Sequence, residues 1–134
     1  MITAIDSSVL FDIVKGTPHA EASLLALTTA AHSGVMCVSA PVVAELGRYF
    51  EKSAQLREFF GDARIEFSTT SLEAALMAAG VMRQYAQNKG SRIRVAADFL
   101  IGAHAMVHAD CLLTRDAGFY RDYFKGLKII NPTA

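Results

Sequence analysis

The chain has 134 residues, with 13 basic and 13 acidic side chains and a formal net charge of zero at pH 7. This length predicts a single domain, residues 1–134, that can bury a sizeable core. The zero net charge excludes a globally basic surface that attracts nucleic acid, so any such attraction must be local.

Hydrophobic residues make up 52% of the chain, more than a monomer of this size needs, so a second copy or a partner is expected to cover some apolar surface. The N-terminus begins as a strand, without the basic and apolar segments of a signal peptide. No apolar stretch reaches membrane-spanning length. Cys37 and Cys111 lie in predicted strands, where buried reduced thiols are expected. These features predict a soluble cytoplasmic protein.

Short apolar runs alternate with helical periodicities along the chain. In chain order the predicted elements are a strand (2–5), helices (7–15 and 19–33), a strand (35–38), a helix capped by Ser39, a helix (53–60), a strand (64–67), a helix opened by Ser71, a loop (87–91), a helix (95–108), a strand (111–113), a helical turn (119–124) and a strand (128–130). Strands joined by helices favour a parallel sheet with helices on both faces. Sites in such sheets form beyond the carboxyl ends of the strands, near the topological switch point.

Four acidic residues follow or interrupt apolar elements. Asp98 lies in the almost wholly apolar run 95–103, where an ionised carboxylate is costly unless a partner compensates it. No Lys or Arg follows Asp98 within one helical turn, so the partner must come from elsewhere in the fold. Asp6, Glu45 and Asp116 share this apolar pattern and lie at or just past predicted carboxyl ends of strands.

Convergence of these four acids would be repulsive, and a divalent cation is the usual remedy. Hard cations such as Mg²⁺ and Mn²⁺ take oxygen ligands, and a carboxylate cluster suits two-metal hydrolysis of a phosphodiester. The alternative is that Asp6 and Asp116 are ordinary helix caps and Glu45 an ordinary boundary residue. Asp98 is the acid that this alternative explains least well.

Four segments resemble the motifs of the PIN domain in order and spacing. They are Asp6–Leu10 (DSSVL), Ser39–Leu46 (SAPVVAEL), Ala97–Ala103 (ADFLIGA) and Leu113–Phe119 (LTRDAGF). Within that family they are most similar to the VapC-type toxins of bacterial toxin–antitoxin pairs. The resemblance covers essentially the whole chain, and the four motifs are specific only jointly. Ser7 is a mild departure, since the family often has Thr at this position.

The resemblance implies a three-layer α/β PIN-like fold, with a central parallel sheet of about five strands and helices on both faces. It implies a Mg²⁺- or Mn²⁺-dependent endoribonuclease that cleaves RNA and is restrained by a cognate antitoxin. The catalytic and metal-binding acids would be Asp6, Glu45, Asp98 and Asp116. Ser8 and Thr114 match polar positions that hydrogen-bond to such acids. With the apolar excess, the leucine-rich helix from His19 also predicts a homodimer, with a further groove for the antitoxin.

Several weaker features have simple explanations. Lys89, Arg92 and Arg94 precede the Asp98 helix and form either a phosphate-binding patch or a solvated loop. His104 and His108 are four residues apart but lack the Glu of a zinc protease motif. Two further sets are expected to be ordinary: solvated acids at Asp12, Asp110 and Asp122, and core aromatics at Phe50, Phe59 and Phe60.

Other functions remain possible from the residues alone. A nuclease outside the toxins, acting on DNA or another nucleic acid, would use the same chemistry. A phospho-acceptor receiver should show paired acids after its first strand, but Asp6 is followed by Ser7 and Ser8. A pure binding module would not need four converging acids.

Overall fold

The structure, a computed structural model, describes residues 1–88 and 94–134. Its strands are β1 (Ile2–Ile5), β2 (Val35–Val38), β3 (Ile65–Phe67), β4 (Cys111–Leu113) and β5 (Lys128–Ile130). They form one five-stranded sheet in the order β3-β2-β1-β4-β5, and every neighbouring pair is parallel.

The helices are α1 (Ser7–Lys15), α2 (Ala20–Ser33), α3 (Ala40–Gly47), α4 (Ser53–Ala63), α5 (Leu72–Asn88), α6 (Ala96–His108) and α7 (Ala117–Tyr123). This succession confirms the predicted α/β fold. The loop predicted from residue 87 is wrong at its start, because α5 continues through Asn88. The rest of that loop, residues 89–91, lies outside the described part of the chain.

Both faces of the sheet are covered. In β1 the consecutive residues Thr3, Ala4 and Ile5 are all buried, and all three residues of β4 are buried. Because successive side chains of a strand point to opposite faces, this pattern requires packed layers on each side of the sheet. Cys37 and Cys111 are buried free thiols, as predicted.

The topological switch point lies between β1 and β4. From β1 the chain builds β2 and β3 on one side, then crosses to β4 and β5 on the other. Ile5 and Leu113 are paired in register, and the amide of Asp6 donates to the Leu113 carbonyl at 2.9 Å. The segments that follow β1 and β4 therefore start side by side.

Helix α6 is held in place by a close approach at Gly102. A Cβ at this position would clash with the ring of Phe124, just after α7. The absence of a side chain at Gly102 therefore sets the distance between α6 and the chain that follows α7.

Two apolar stripes remain on the surface. Leu72 and Leu76 of α5 are 75% and 62% exposed, because α5 buries Ala74 and Ala78 and packs against α6. In α2, Leu27 is buried, while Leu24 and Leu25 are exposed.

The three phenylalanines expected in the core (Phe50, Phe59 and Phe60) are partly buried and pack against it. None of the helices in the described ranges is long and apolar enough to cross a membrane.

Candidate active site

Asp6 is the most deeply buried of the four predicted acids. It follows β1 directly, occupies the N-cap position of α1 and is 6% exposed. Its carboxylate accepts hydrogen bonds from the hydroxyls of Ser8 (3.0 Å) and Thr114 (2.6 Å). Burial raises the pKa of Asp6 to about 6, although these two hydrogen bonds act in the opposite direction.

Thr114 joins the segments that follow β1 and β4. Its hydroxyl donates to Asp6 and accepts the backbone N–H of Asp116 at 2.9 Å. The backbone N–H of Arg115 donates to Ser8 at 3.2 Å. Both hydroxyls therefore donate to the Asp6 carboxylate, and each also accepts a backbone N–H from the segment after β4.

Within the described residues, Arg94 is the cation that pairs with Asp98 and Asp116. Its guanidinium donates to both carboxylate oxygens of Asp116, and its Nη1 lies 3.9 Å from Oδ2 of Asp98. The hydrogen bond to Asp116 raises the pKa of Arg94, and its Cζ lies 4.2 Å from the centroid of the Phe119 ring. The cation that compensates Asp98 therefore lies four residues before it in the chain, at a helical spacing. The residues within one turn after Asp98 contain no Lys or Arg.

Asp98 and Glu45 complete the acidic set. Desolvation raises the pKa of Asp98, the charge of Arg94 opposes this, and the charges of Glu45 and Asp116 add to it. Glu45, on α3, accepts a hydrogen bond from the Ser7 hydroxyl at 2.6 Å. In the sequence, Ser7 stands out only as a departure from the family pattern. Its hydrogen bond to Glu45 adds it to the candidate site.

The charges of the four acids interact, but in the described structure their carboxylates do not surround one point. Asp98 interacts with the charges of Asp6, Glu45 and Asp116. Among residues 1–88 and 94–134, however, no group of three or more His, Cys, Asp or Glu side chains is close enough to hold an ion. The guanidinium of Arg94 is paired with Asp116 and so neutralises one of the four carboxylates.

Tyr120 adds a polar group that sequence reasoning missed. It is 1% exposed, and its hydroxyl has no hydrogen-bond partner within the described structure. Burial raises the pKa of Tyr120, and the charges of Asp6, Asp98 and Asp116 raise it further. A tyrosine in an apolar helical turn is typical of core packing, so no local signal pointed to this group. Oxygen-only donors and an unpartnered hydroxyl fit a hard divalent cation with its waters.

Asp12 contradicts the expectation of a solvated residue. Its side chain is fully buried and paired with Arg115, whose Nε lies 2.5 Å from the carboxylate. Burial alone would raise the pKa of Asp12, but hydrogen bonds from Arg115, Thr17 and Ser23 lower it below its usual value. Asp12 therefore stabilises the fold beside the site, tying α1 and α2 to the loop after β4.

The other predicted residues lie apart from the carboxylates or outside the described structure. Asp110 is exposed and accepts the Ile2 amide, and Asp122 is exposed beside Arg121. His104 is buried and contacts Ser68. Lys89 and Arg92 lie outside the described residues, which leaves Arg94 alone of the predicted phosphate-binding set.

Comparisons with known proteins agree with this architecture. The sequence matches the PIN domain family over residues 3–125. Similar solved structures include VapBC2 from Rickettsia felis bound to a DNA fragment from its promoter, with 21% identity, 98% coverage of both chains and a TM-score of 0.74. Another is VapBC-1 from nontypeable Haemophilus influenzae, with 15% identity, full coverage of both chains and a TM-score of 0.76. A third is FitAcB from Neisseria gonorrhoeae, with 21% identity, 99% coverage of both chains and a TM-score of 0.62.

At these identities the structural likeness establishes the fold alone. A search of curated protein sequences finds no significant match. The family match is independent of those structures and extends over most of the sequence. With its parallel sheet and the acids at the switch point, the chain belongs to the PIN domain family.

Proposed function

We propose that residues 1–134 form a single PIN domain that acts in the cytoplasm as a VapC-type toxin, a metal-dependent endoribonuclease restrained by an antitoxin. PIN domains are nucleases, and PIN nucleases generally use divalent metal ions. The observation that carries the proposal is the arrangement at the switch point, where Asp98 interacts electrostatically with three other acids. A buried carboxylate with a raised pKa, such as Asp6, is typical of a functional site.

In this proposal Asp6, Glu45, Asp98 and Asp116 hold Mg²⁺ or Mn²⁺, which when bound activates water and stabilises the leaving oxygen of the RNA. The neighbouring hydroxyls orient these ligands. Ser8 and Thr114 hold Asp6, and Ser7 holds Glu45. Hydrogen bonds of this kind fix the direction of a carboxylate and support metal affinity.

Arg94 is proposed to exchange partners when substrate binds. Asp116 would release the guanidinium of Arg94 on holding a metal ion, and Arg94 would then bind a phosphate of the RNA. Guanidinium groups bind carboxylates and phosphates in the same bidentate manner, so the side chain needs little rearrangement. Lys89 and Arg92 are proposed to extend this phosphate contact along the RNA.

The surface supports a protein partner as well as a second copy. A largely apolar groove of about 530 Å³ lies between α3, α4 and the edge strand β3, lined by Val38, Val43, Leu56, Phe60 and Phe67. Phe67 is 59% exposed at that edge. The neighbouring structures VapBC2 and FitAcB come from toxin–antitoxin systems, and we assign this groove to an antitoxin segment. The exposed Leu24 and Leu25 are proposed to serve the homodimer.

The decisive experiment replaces Asp98 with Asn and measures cleavage of a labelled RNA in Mg²⁺ and in Mn²⁺. We expect cleavage to fall by more than about a hundredfold, because even residues that only support metal ligands contribute 10–100-fold. The exposed Asp62→Asn is the matched control and should cleave normally.

Three results would contradict parts of this proposal. Cleavage by Asp98→Asn at the wild-type rate would remove the metal-nuclease assignment. Cleavage of single-stranded DNA but not RNA by the wild type would keep the nuclease and reject the ribonuclease. The toxin assignment predicts growth arrest on expression, relieved by the product of the neighbouring gene, and harmless expression would reject it.

A further inference from the structure

The hydroxyl of Tyr120 is an isolated polar group at the edge of the acidic site. In the described parts of the chain only two buried side-chain polar atoms lack a hydrogen-bond partner, the hydroxyls of Thr70 and Tyr120. The Tyr120 hydroxyl interacts with the charges of Asp6, Asp98 and Asp116. It therefore lies within electrostatic range of the three predicted ligands that come from β1, α6 and the segment after β4, and Tyr120 stands one helical turn after Asp116.

Packing alone does not explain this hydroxyl. The Tyr120 ring contacts the rings of Phe119 and Phe124, with centroids 5.0 and 6.0 Å away. Phenylalanine would make the same ring contacts without burying a polar atom. Because an unpaired buried hydroxyl costs stability, its position beside carboxylates points to something that it binds.

The chemistry of the surroundings limits what that can be. Burial and the nearby negative charges raise the pKa of Tyr120, so the group stays a neutral hydroxyl that can both donate and accept. Ionised carboxylates only accept, and Arg94 already donates to Asp116. Mg²⁺ and Mn²⁺ keep several waters when they bind carboxylates. A water molecule can accept from the tyrosine and donate to a carboxylate at the same time.

We propose that Tyr120 is a positioning residue of the active site, whose hydroxyl hydrogen-bonds a water molecule held beside Asp6, Asp98 and Asp116. The inference rests on the proposed metal-dependent function and deepens it. Helix α7 then contributes two groups to the site, its N-cap residue Asp116 and the Tyr120 hydroxyl, which orients the water.

The test compares Tyr120→Phe with Tyr123→Phe in the full chain. Tyr123 is on the same helix, and its hydroxyl contacts the side-chain amide of Asn88 at 3.4 Å, so the control removes the same atom from a more exposed position. Binding of Mn²⁺ is measured by electron paramagnetic resonance of the free ion, which needs no RNA. We expect the dissociation constant of Tyr120→Phe to rise about tenfold, the usual size for a residue that supports a metal site, and that of Tyr123→Phe to stay at the wild-type value.

A melt in chelator and the variant Asp98→Asn separate the possible outcomes. An unchanged or higher melting temperature for Tyr120→Phe in chelator supports the inference, while a clearly lower one means that the hydroxyl has a structural partner and overturns it. If Asp98→Asn loses Mn²⁺ binding and Tyr120→Phe does not, the inference about Tyr120 fails and the metal site stands. If Asp98→Asn binds Mn²⁺ like the wild type, the proposed site itself fails, and the inference with it.

Discussion

At the scale of single residues, Asp6 combines two opposing requirements. It lies on a buried strand end, where an apolar or neutral side chain would be more stable, yet it accepts two hydroxyl hydrogen bonds that favour the charged form. The net effect is a pKa raised from 3.8 to about 6. Above pH 6 the folded protein therefore holds a carboxylate whose ionisation opposes folding, unless a cation is bound.

Replacing Asp6 with Asn should stabilise the metal-free protein at pH 7. The raised pKa corresponds to a free-energy cost of up to about 3 kcal/mol for the ionised form, which the neutral amide avoids. Urea unfolding in chelator measures the difference, with the exposed Asp62→Asn as control. Mn²⁺ should stabilise the wild type more than the variant, because the ion binds the folded state. A variant less stable than the wild type in chelator would mean that the hydrogen bonds to Asp6 outweigh its burial.

At the scale of secondary-structure elements, the position of Asp98 depends on the spacing between α6 and α7. Gly102 faces the Phe124 ring one helical turn after Asp98, on the same helix. A wider spacing would move the N-terminal turn of α6, with Asp98, away from Asp116. The absence of a side chain at Gly102 is therefore part of the packing that keeps Asp98 near Asp116.

We expect Gly102→Ala to destabilise the protein and to weaken Mn²⁺ binding. The added methyl group would clash with the buried ring of Phe124, and such overpacking costs about 1–3 kcal/mol. Gly80→Ala in α5 is the matched control, since its nearest atom is a flexible Arg83 nitrogen at 3.7 Å. The control should gain up to about 1 kcal/mol from helix propensity. Equal urea midpoints for the two variants would show that α6 and α7 tolerate a wider spacing.

At the scale of the whole molecule, lowering the pH changes the stability of the fold through two buried groups, His104 and Asp6, in opposite directions. Burial, with a smaller effect of His108, lowers the pKa of His104 from 6.5 to about 4. Between these values the unfolded chain binds more protons at His104, so stability is lost as the pH falls from 6.5 to 4. Asp6 has a raised pKa, so its contribution is the reverse: stability is gained as the pH falls from about 6 to 3.8.

Each effect amounts to about 3 kcal/mol, so the stability of the wild type should change little between pH 6 and pH 4. Separate variants expose the two contributions. As the pH falls from 6 to 4, Asp6→Asn should lose stability, because the stabilising protonation of Asp6 no longer offsets the effect of His104. His104→Gln should gain stability over the same fall in pH, because the effect of Asp6 is then not offset. Urea unfolding in chelator at several pH values measures the slopes. Parallel curves for the wild type and Asp6→Asn would contradict the raised pKa of Asp6.

Local patterns in the chain were enough to predict the succession of elements and the fold class, because apolar periodicity, caps and turn residues act over short distances along the chain. It also identified Asp6 and Asp116 at the strand ends that flank the switch point, since both follow directly from the strand pattern. The four motifs matched the PIN domain family for the same reason, as each is a short local segment.

Which groups compensate the acids depends instead on contacts between distant parts of the chain. Arg115 reaches the buried Asp12 across 103 positions of the sequence, and Arg94 pairs with Asp116 across 22. The exposure of Leu72 and Leu76 and the burial of the Tyr120 hydroxyl likewise depend on which face of each helix meets its neighbour. Periodicity shows that a helix has an apolar face, but the packing of all layers together decides whether that face, or a row of alanines beside it, is buried.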